Sequence, residues 1–106
     1  MRYLWLLLAL SLATAVAAST PGPTPARQSQ LHNLVVQDCG SCHGLTMKGG
    51  LGKPLLPSTL ATVSDAAIAE VILDGIAGTP MPPWRGLLSE SEALWIARHL
   101  KKGMSQ

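Results

Sequence analysis

Aromatic residues and cysteines are scarce in this chain. It contains no Phe, one Tyr and three Trp, so aromatics make up 4% of its 106 residues. A domain this small is only marginally stable on apolar burial alone, and few of its side chains are large. We therefore expect a further apolar group to fill its centre. With only two cysteines, the chain also lacks the thiols for a four-cysteine zinc site.

Charged residues are scarce as well, at 13% of the chain, and the net charge is +2. They form no strong basic stripe, which counts against nucleic acid or an anionic membrane surface as a partner. Arg98, Lys101 and Lys102 cluster at the end of a predicted helix, where cations interact favourably with the helix dipole. The sequence shows no strand alternation, internal repeat or second domain. These absences favour a single small helical domain.

The first 18 residues have the pattern of a secretory signal peptide. Arg2 precedes an apolar stretch that ends in the small residues 15–18. The stretch from residue 3 to residue 18 is shorter than the roughly 20 residues that span a bilayer, although a retained anchor is the alternative. We expect cleavage after residue 17 or 18, export to the periplasm, and no membrane attachment afterwards.

The remaining chain divides into an arm, one domain and a short tail. Residues 19–29 are Pro-rich, polar and unpatterned, which predicts a flexible arm. The domain is expected over residues 30–103 and the tail over residues 104–106. Pro54 and Pro57 are expected to keep the segment that they begin out of a helix.

Apolar periodicity and capping signals predict the helices of this domain. They are expected over residues 30–38, 62–74 and 89–102. Ser29 is the predicted N-cap of the first helix, and either Thr62 or Ser64 caps the second. Ser89 and Glu92 form an S-x-x-E capping box at the start of the third helix.

The run Cys39-Gly40-Ser41-Cys42-His43 carries the clearest chemical signal. Two thiols three positions apart, followed at once by His, form the attachment pattern of c-type haem. Each thiol can form a thioether to one vinyl group of the porphyrin, and His43 is then the proximal ligand of the iron. The sequence therefore predicts one covalently bound haem c. Haem is also a large, mostly apolar group that can fill the centre of the domain.

Other chemistries can use a C-x-x-C pair. A thioredoxin-like redox pair needs a βαβ context, which the sequence does not show. Half of a zinc site needs a second pair of Cys or His ligands, and the remaining histidines form none at the usual spacing. A structural disulfide between Cys39 and Cys42 fits an exported protein. His43, directly after the second cysteine, favours haem over the disulfide.

Met81 is the predicted second axial ligand of the iron. It lies in the segment Gly78–Trp84 among three prolines, which restrict the backbone before the fold closes. The soft thioether of methionine suits haem iron, and Met/His ligation raises the reduction potential. A packing role for Met81 is the alternative. An iron that was open or water-bound would instead indicate a haem sensor or enzyme, although the chain offers no distal acid–base pair.

The other candidates for the sixth ligand are less favourable. Met47 follows His43 too closely to reach the opposite face of the haem, and Met104 lies in the tail. His32 and His99 are on predicted helices, where a histidine is more often a surface or packing residue than a ligand.

With these motifs in this order, the chain resembles a small class I cytochrome c over residues 30–103. The resemblance implies an all-α fold of three to four helices around one covalently attached haem, with the N- and C-terminal helices crossing. It also implies that a proline carbonyl, here that of Pro54, accepts a hydrogen bond from His43. Trp95 would replace the usual Tyr or Phe on the last helix. Independently of the resemblance, we expect Trp84 or Arg85 to hydrogen-bond a haem propionate.

More narrowly, the chain resembles the NirC-type periplasmic cytochromes c that are associated with cytochrome cd1 nitrite reductase in denitrifying bacteria. We expect a monomeric electron-transfer protein rather than an enzyme. Its partners would be redox proteins, either cytochrome cd1 nitrite reductase or an enzyme that matures haem d1. A respiratory electron carrier outside denitrification is the alternative.

Overall fold

The chain folds into a series of short helices, seen in a computed structural model that describes residues 13, 15 and 22–104. Most of the predicted signal peptide and residues 19–21 of the predicted arm lie outside the described residues. The helices are α1 (Pro25–Leu34), a π-helical segment (Val35–Cys39), α2 (Gly40–His43), α3 (Pro57–Leu60), α4 (Asp65–Asp74) and α5 (Glu90–Lys102). Within the described ranges no residue belongs to a strand, and no helix is long and apolar enough to cross a membrane. The predicted all-α fold is therefore confirmed.

Helix α1 begins earlier than predicted. Thr24 is its N-cap, because the Thr24 side-chain oxygen accepts a hydrogen bond from the Arg27 backbone N–H at 3.2 Å. Pro25 occupies the first turn, where a missing N–H costs little. Ser29, predicted as the cap, lies inside the helix, so residues 25–29 are helical rather than a flexible arm. The prolines suggest an unstructured segment, whereas Thr24 followed by Pro25 is itself a helix start signal.

The backbone stays helical from α1 through the π-helical segment into α2. Val35 has φ −60° and ψ −47°, and Gly40 has φ −61° and ψ −25°, both in the right-handed region. The helical run ends at Gly44, where φ is +88°, a conformation that glycine adopts most easily. The predicted first helix is therefore the middle of a longer run, and the cysteine motif lies on its final turns.

Helix α3 is one helical turn in a segment that was expected to be non-helical. Pro57 begins it, in the first turn where the fixed φ of proline suits a helix. Leu60, at its end, is buried in the core. The expectation for Pro57 was therefore wrong, because proline excludes a residue from a helix interior but not from a helix start.

Side-chain caps begin the two longest helices of the second half of the domain. Ser64 caps α4 by accepting the Ala67 N–H at 3.1 Å, so the second predicted candidate is the cap and Thr62 is not. In α5 the predicted capping box is present. Ser89 accepts the Glu92 N–H at 3.2 Å, and Glu92 accepts the Ser89 N–H at 2.9 Å.

The core lies where α4, α3 and α1 pack against α5. Its fully buried side chains are nearly all aliphatic, and the partly buried Trp84 and Trp95 pack against them. The buried residues are Leu31, Val35, Met47, Leu60, Ile68, Ala69, Ile72, Leu73, Leu88, Ala93, Ile96, Ala97 and Leu100.

Two polar interactions connect α1 to α5. Arg27 forms an ion pair with Glu92, the acid of the capping box. One turn further along α1, Nδ1 of His32 lies 2.9 Å from Nε2 of His99. The ring of Trp95 stacks on His99, with ring centroids 4.5 Å apart. The terminal helices are thus in contact, as the resemblance implies, and their two histidines bond to each other.

The His32–His99 contact predicts a loss of stability in mild acid. Burial, then the neighbouring His32 and Lys102, hold the pKa of His99 below its ordinary value. As the pH falls, the unfolded chain therefore binds a proton at this position before the folded protein does. The free energy of unfolding of the haem-loaded protein should be constant above about pH 7 and fall as the pH decreases below about 6.5.

Chemical denaturation at a series of pH values measures this dependence. His99→Gln removes the titrating group and should flatten the profile in that window. A wild-type profile that is already flat between about pH 5 and 7, or an unchanged slope in the variant, would contradict the prediction.

Candidate haem site

The cysteines and the histidine of the motif lie on one side of the helical run. Cys39 ends the π-helical segment, and Cys42 and His43 follow in α2. Residues three and four positions apart are neighbours on a helix surface. Both thiols are free and partly exposed, so the structure does not contain the alternative disulfide. Burial, with a smaller effect of the Asp38 carboxylate, raises the pKa of Cys39 to about 11, which keeps this thiol protonated at neutral pH.

The imidazole of His43 is held by one short hydrogen bond. Its Nδ1 lies 2.7 Å from the backbone carbonyl oxygen of Lys53. A carbonyl can only accept, so Nδ1 carries the proton and the lone pair is on Nε2. This is the tautomer that a histidine ligand needs, with its second nitrogen hydrogen-bonded to fix the ring.

The acceptor is the carbonyl of Lys53, so the expectation that Pro54 supplies it was wrong by one residue. Pro54 still bears on this bond, because a proline restricts the backbone of the residue before it to extended conformations. The direction of the Lys53 carbonyl is therefore constrained by its neighbour. The Pro54 ring also lies beside Gly49, where an added Cβ would be 3.3 Å from it.

The glycine-rich loop after the motif folds back onto the end of α2. The N–H of Gly49 donates to the His43 carbonyl, and the N–H of Gly52 donates to the Cys42 carbonyl, each at 2.8 Å. These carbonyls are at a helix end and have no partner within the helix. The loop thus satisfies the helix terminus and at the same time brings Lys53 to the imidazole.

Gly52 lies directly against the ring of His43. A Cβ added to Gly52 would be 2.7 Å from both Cε1 and Nδ1 of the imidazole, closer than such contacts occur. The φ of Gly52 is not positive, so its backbone would accept another residue. Glycine is required here by space alone, and no local sequence pattern indicates this contact.

Met81 lies on the segment between α4 and α5, which is anchored to the end of α4. Gly75 ends α4 with φ +66°, and a Cβ there would be 2.6 Å from the Met81 carbonyl oxygen. That carbonyl accepts the Ile76 N–H at 3.2 Å, and the Met81 N–H donates to the Thr79 hydroxyl at 3.3 Å. The half-buried Met81 is thus in an ordered loop, as predicted. Its role as an axial ligand stays a prediction.

Trp84 and Arg85 follow this loop, and their predicted contacts to a propionate also stay predictions. The Trp84 backbone N–H bonds to α4 carbonyls, and its side chain packs on the core. The Arg85 guanidinium forms two hydrogen bonds to Asp74, at 2.8 and 3.0 Å, and lies 3.7 Å from Glu90. These contacts raise the pKa of Arg85 and lower that of Asp74.

The other candidates for the sixth iron ligand make contacts with other residues. His32 and His99 bond to each other, Met47 is 2% exposed in the core, and Met104 packs at its edge. Over residues 22–104, no three or more His, Cys, Asp or Glu side chains are grouped so that they could hold a metal ion. This counts against the zinc alternative.

The donor set fits a covalently attached haem. Two free thiols stand one helical turn apart, and the imidazole beside them has Nε2 available for iron. A thioether in an ordered loop completes the set of ligand types found in Met/His cytochromes. Fold and site together define a small c-type cytochrome domain.

Comparisons with known proteins agree with this class. A family model described as cytochrome c oxidase, cbb3-type, subunit III, matches residues 26–100. Cytochrome c55X of Paracoccus denitrificans is 55% identical over 80 residues, which cover 76% of this chain and 78% of the relative. Cytochrome c55X of Pseudomonas aeruginosa is 46% identical over 101 residues, covering 94% of this chain and 85% of the relative. The chain therefore belongs to the cytochrome c family and is a monohaem member with covalently bound haem c.

Solved structures give the same result. The c-type cytochrome NirC matches with a TM-score of 0.74 and 46% identity, over 76% of this chain and 94% of that chain. The dihydro-haem d1 dehydrogenase NirN matches with a TM-score of 0.63 and 34% identity, over 70% of this chain and 16% of that chain. The predicted resemblance to NirC-type cytochromes is confirmed.

The contact between Gly52 and His43 predicts that Gly52→Ala destabilises the haem-loaded protein. The added methyl must displace either the imidazole or the loop, and overpacking of this kind costs about 1–3 kcal/mol. Gly86→Ala is the matched control, because nothing lies within 4 Å of its Cβ position and its φ is not positive. Thermal unfolding measures the loss of stability, and the visible spectrum reports whether the imidazole has moved. Equal melting temperatures for both variants would show that the contact is not tight.

If the Met81 sulfur binds the iron, Met81→Ala should abolish the weak charge-transfer band near the red edge of the oxidised spectrum. It should also lower the reduction potential and allow rapid binding of carbon monoxide, because the sixth position becomes vacant. Met47→Ala and Met104→Ala are the controls and should have none of these three effects. Wild-type protein that binds carbon monoxide readily, with no change in Met81→Ala, would indicate an open site.

Proposed function

We propose that this protein is a periplasmic single-electron carrier of denitrification, which exchanges electrons with nitrite reductase or with an enzyme that matures haem d1. The observation that carries the proposal is the 46% identity to NirC over 94% of that chain. The likeness to part of a dihydro-haem d1 dehydrogenase supports the haem d1 partner. The periplasmic location rests on the predicted signal peptide.

In this proposal the chain's own residues hold one haem in a closed site. Cys39 and Cys42 would hold the haem as thioethers, and His43, through Nε2, and Met81 would be the residues that bind its iron. The haem supplies reversible one-electron exchange when bound. Lys53 and Gly52 keep the imidazole in one orientation, which limits the rearrangement between the two oxidation states.

Electron exchange with a haem d1 dehydrogenase would need two encounters for each substrate molecule. A dehydrogenation removes two electrons and two protons from its substrate, whereas a monohaem carrier accepts one electron per encounter. Two oxidised carriers would therefore be reduced for each dihydro-haem converted, and the protons would go to solvent. With nitrite reductase, the reduced carrier would give one electron at each encounter.

A respiratory carrier outside denitrification is the second candidate. It is favoured by the description of the matching family model, which names a subunit of a cbb3-type oxidase. The fold and the haem ligands would be the same in both roles, so the redox partner separates them.

Stopped-flow mixing tests the proposal. Reduced holoprotein is mixed with oxidised cytochrome cd1 nitrite reductase, and oxidised holoprotein with the dehydrogenase NirN and dihydro-haem d1. We expect exchange in at least one reaction with a second-order rate constant of about 10⁵–10⁷ M⁻¹s⁻¹, typical of specific protein association. A cbb3-type oxidase is the comparison partner. Fast exchange with the oxidase and none with the other two proteins would contradict the denitrification role.

A further inference from the structure

We propose that residues 48–53, called here the Leu51 loop, form the surface on which an acidic redox protein docks. This inference rests on the proposed function, because an electron carrier needs a surface for exchange. Leu51 is 94% exposed, more than the other exposed large hydrophobic side chains of the described residues. Single exposed leucines are common on protein surfaces, and it is the surroundings of Leu51 that set it apart.

The backbone around Leu51 is ordered by hydrogen bonds. The Gly50 N–H donates to the Gly52 carbonyl at 2.9 Å, and the Gly52 N–H donates to the Cys42 carbonyl at 2.8 Å. Leu51 is therefore at the tip of a tight turn that is tied to the haem-attachment motif. A partner that covers this leucine gains apolar burial and loses little backbone entropy, since the turn is already formed.

The Leu51 loop carries positive charge and no negative charge. Lys48 and Lys53 are both exposed, and no Asp or Glu occurs between residues 39 and 64. The acidic residues of the chain lie elsewhere, at Asp38, Asp65, Glu70, Asp74, Glu90 and Glu92. Among the described residues, carboxylates pair with Arg27, Arg85, Arg98 and Lys101, whereas neither loop lysine joins an ion pair. Charge complementarity therefore selects an acidic partner.

The Met81 segment is a weaker candidate for the same contact. Ile76, at its start, is 44% exposed, but Arg85 beyond it is already paired with Asp74 and Glu90. The Leu51 loop also lies next to the predicted proximal ligand, since the Lys53 carbonyl bonds to His43. A partner on this loop would be close to the haem attachment, which favours electron exchange.

The test measures how fast two oxidants of opposite charge oxidise the reduced holoprotein. Plastocyanin, a small acidic blue-copper protein, represents the acidic partner. The cation tris(phenanthroline)cobalt(III) reports whether the haem itself can exchange electrons. The loop variants are Lys48→Gln and Leu51→Ser, both at positions other than Lys53, whose carbonyl binds His43. Lys102→Gln and Leu87→Ser are matched controls, because Lys102 is also exposed without an ion pair and Leu87 is 68% exposed.

Lys48→Gln should slow oxidation by plastocyanin roughly two- to fivefold at low salt, and the difference should vanish at high salt. Leu51→Ser should slow it about threefold at both salt concentrations, because the lost contact is apolar. The controls should match the wild type with plastocyanin, and no variant should be slower than the wild type with the cobalt complex. The proposal is overturned if plastocyanin does not oxidise the wild type, if the loop variants react at the wild-type rate, if the controls are equally slow, or if the loop variants are also slow with cobalt. Wild-type protein that neither oxidant can oxidise would refute the electron-carrier function itself.

Discussion

The hydrogen bond from Nδ1 of His43 to the Lys53 carbonyl is the interaction on which the rest of the site depends. It fixes the tautomer, so Nε2 is the nitrogen that can bind iron. It also joins the end of the helical run to the glycine-rich loop, whose N–H groups satisfy the last carbonyls of that run. The absence of a side chain at Gly52 is what lets the loop approach the ring. One set of contacts thus fixes the orientation of His43, the end of the helical run and the conformation of the loop.

His43 and the loop that holds it lie at the end of one continuous helical run. The run that begins at Pro25 carries the cysteines at its far end, and α5 contacts its first half through Leu31, the Arg27–Glu92 ion pair and the His32–His99 bond. Contacts between the terminal helices therefore also position the haem-attachment motif. Protonation at the histidine pair should loosen the helix contact before it affects the ligands, since neither histidine belongs to the haem site.

Local signals in the sequence predicted the parts of the structure that local chemistry determines. The capping box of α5 was predicted because it depends on a few neighbouring residues. The start of α1 was missed because Thr24-Pro25 competes with a Pro-rich context. The partner of His43 was misplaced by one residue, since which carbonyl faces the ring depends on the path of the whole loop. The pairing of Arg85 with Asp74 joins residues from two elements, and no local pattern indicates it.

Closure of both axial positions by His43 and Met81 is what would make this chain an electron carrier rather than an open haem site. Proton–carbon NMR of the reduced holoprotein, labelled with ¹³C at the methionine methyl groups, tests this closure directly. A methyl group held against the haem plane is shifted far upfield by the ring current. The account predicts one such signal, from Met81, and ordinary positions for Met47 and Met104. Methyl signals that all lie in the ordinary range, or an upfield signal that belongs to another methionine, would contradict it.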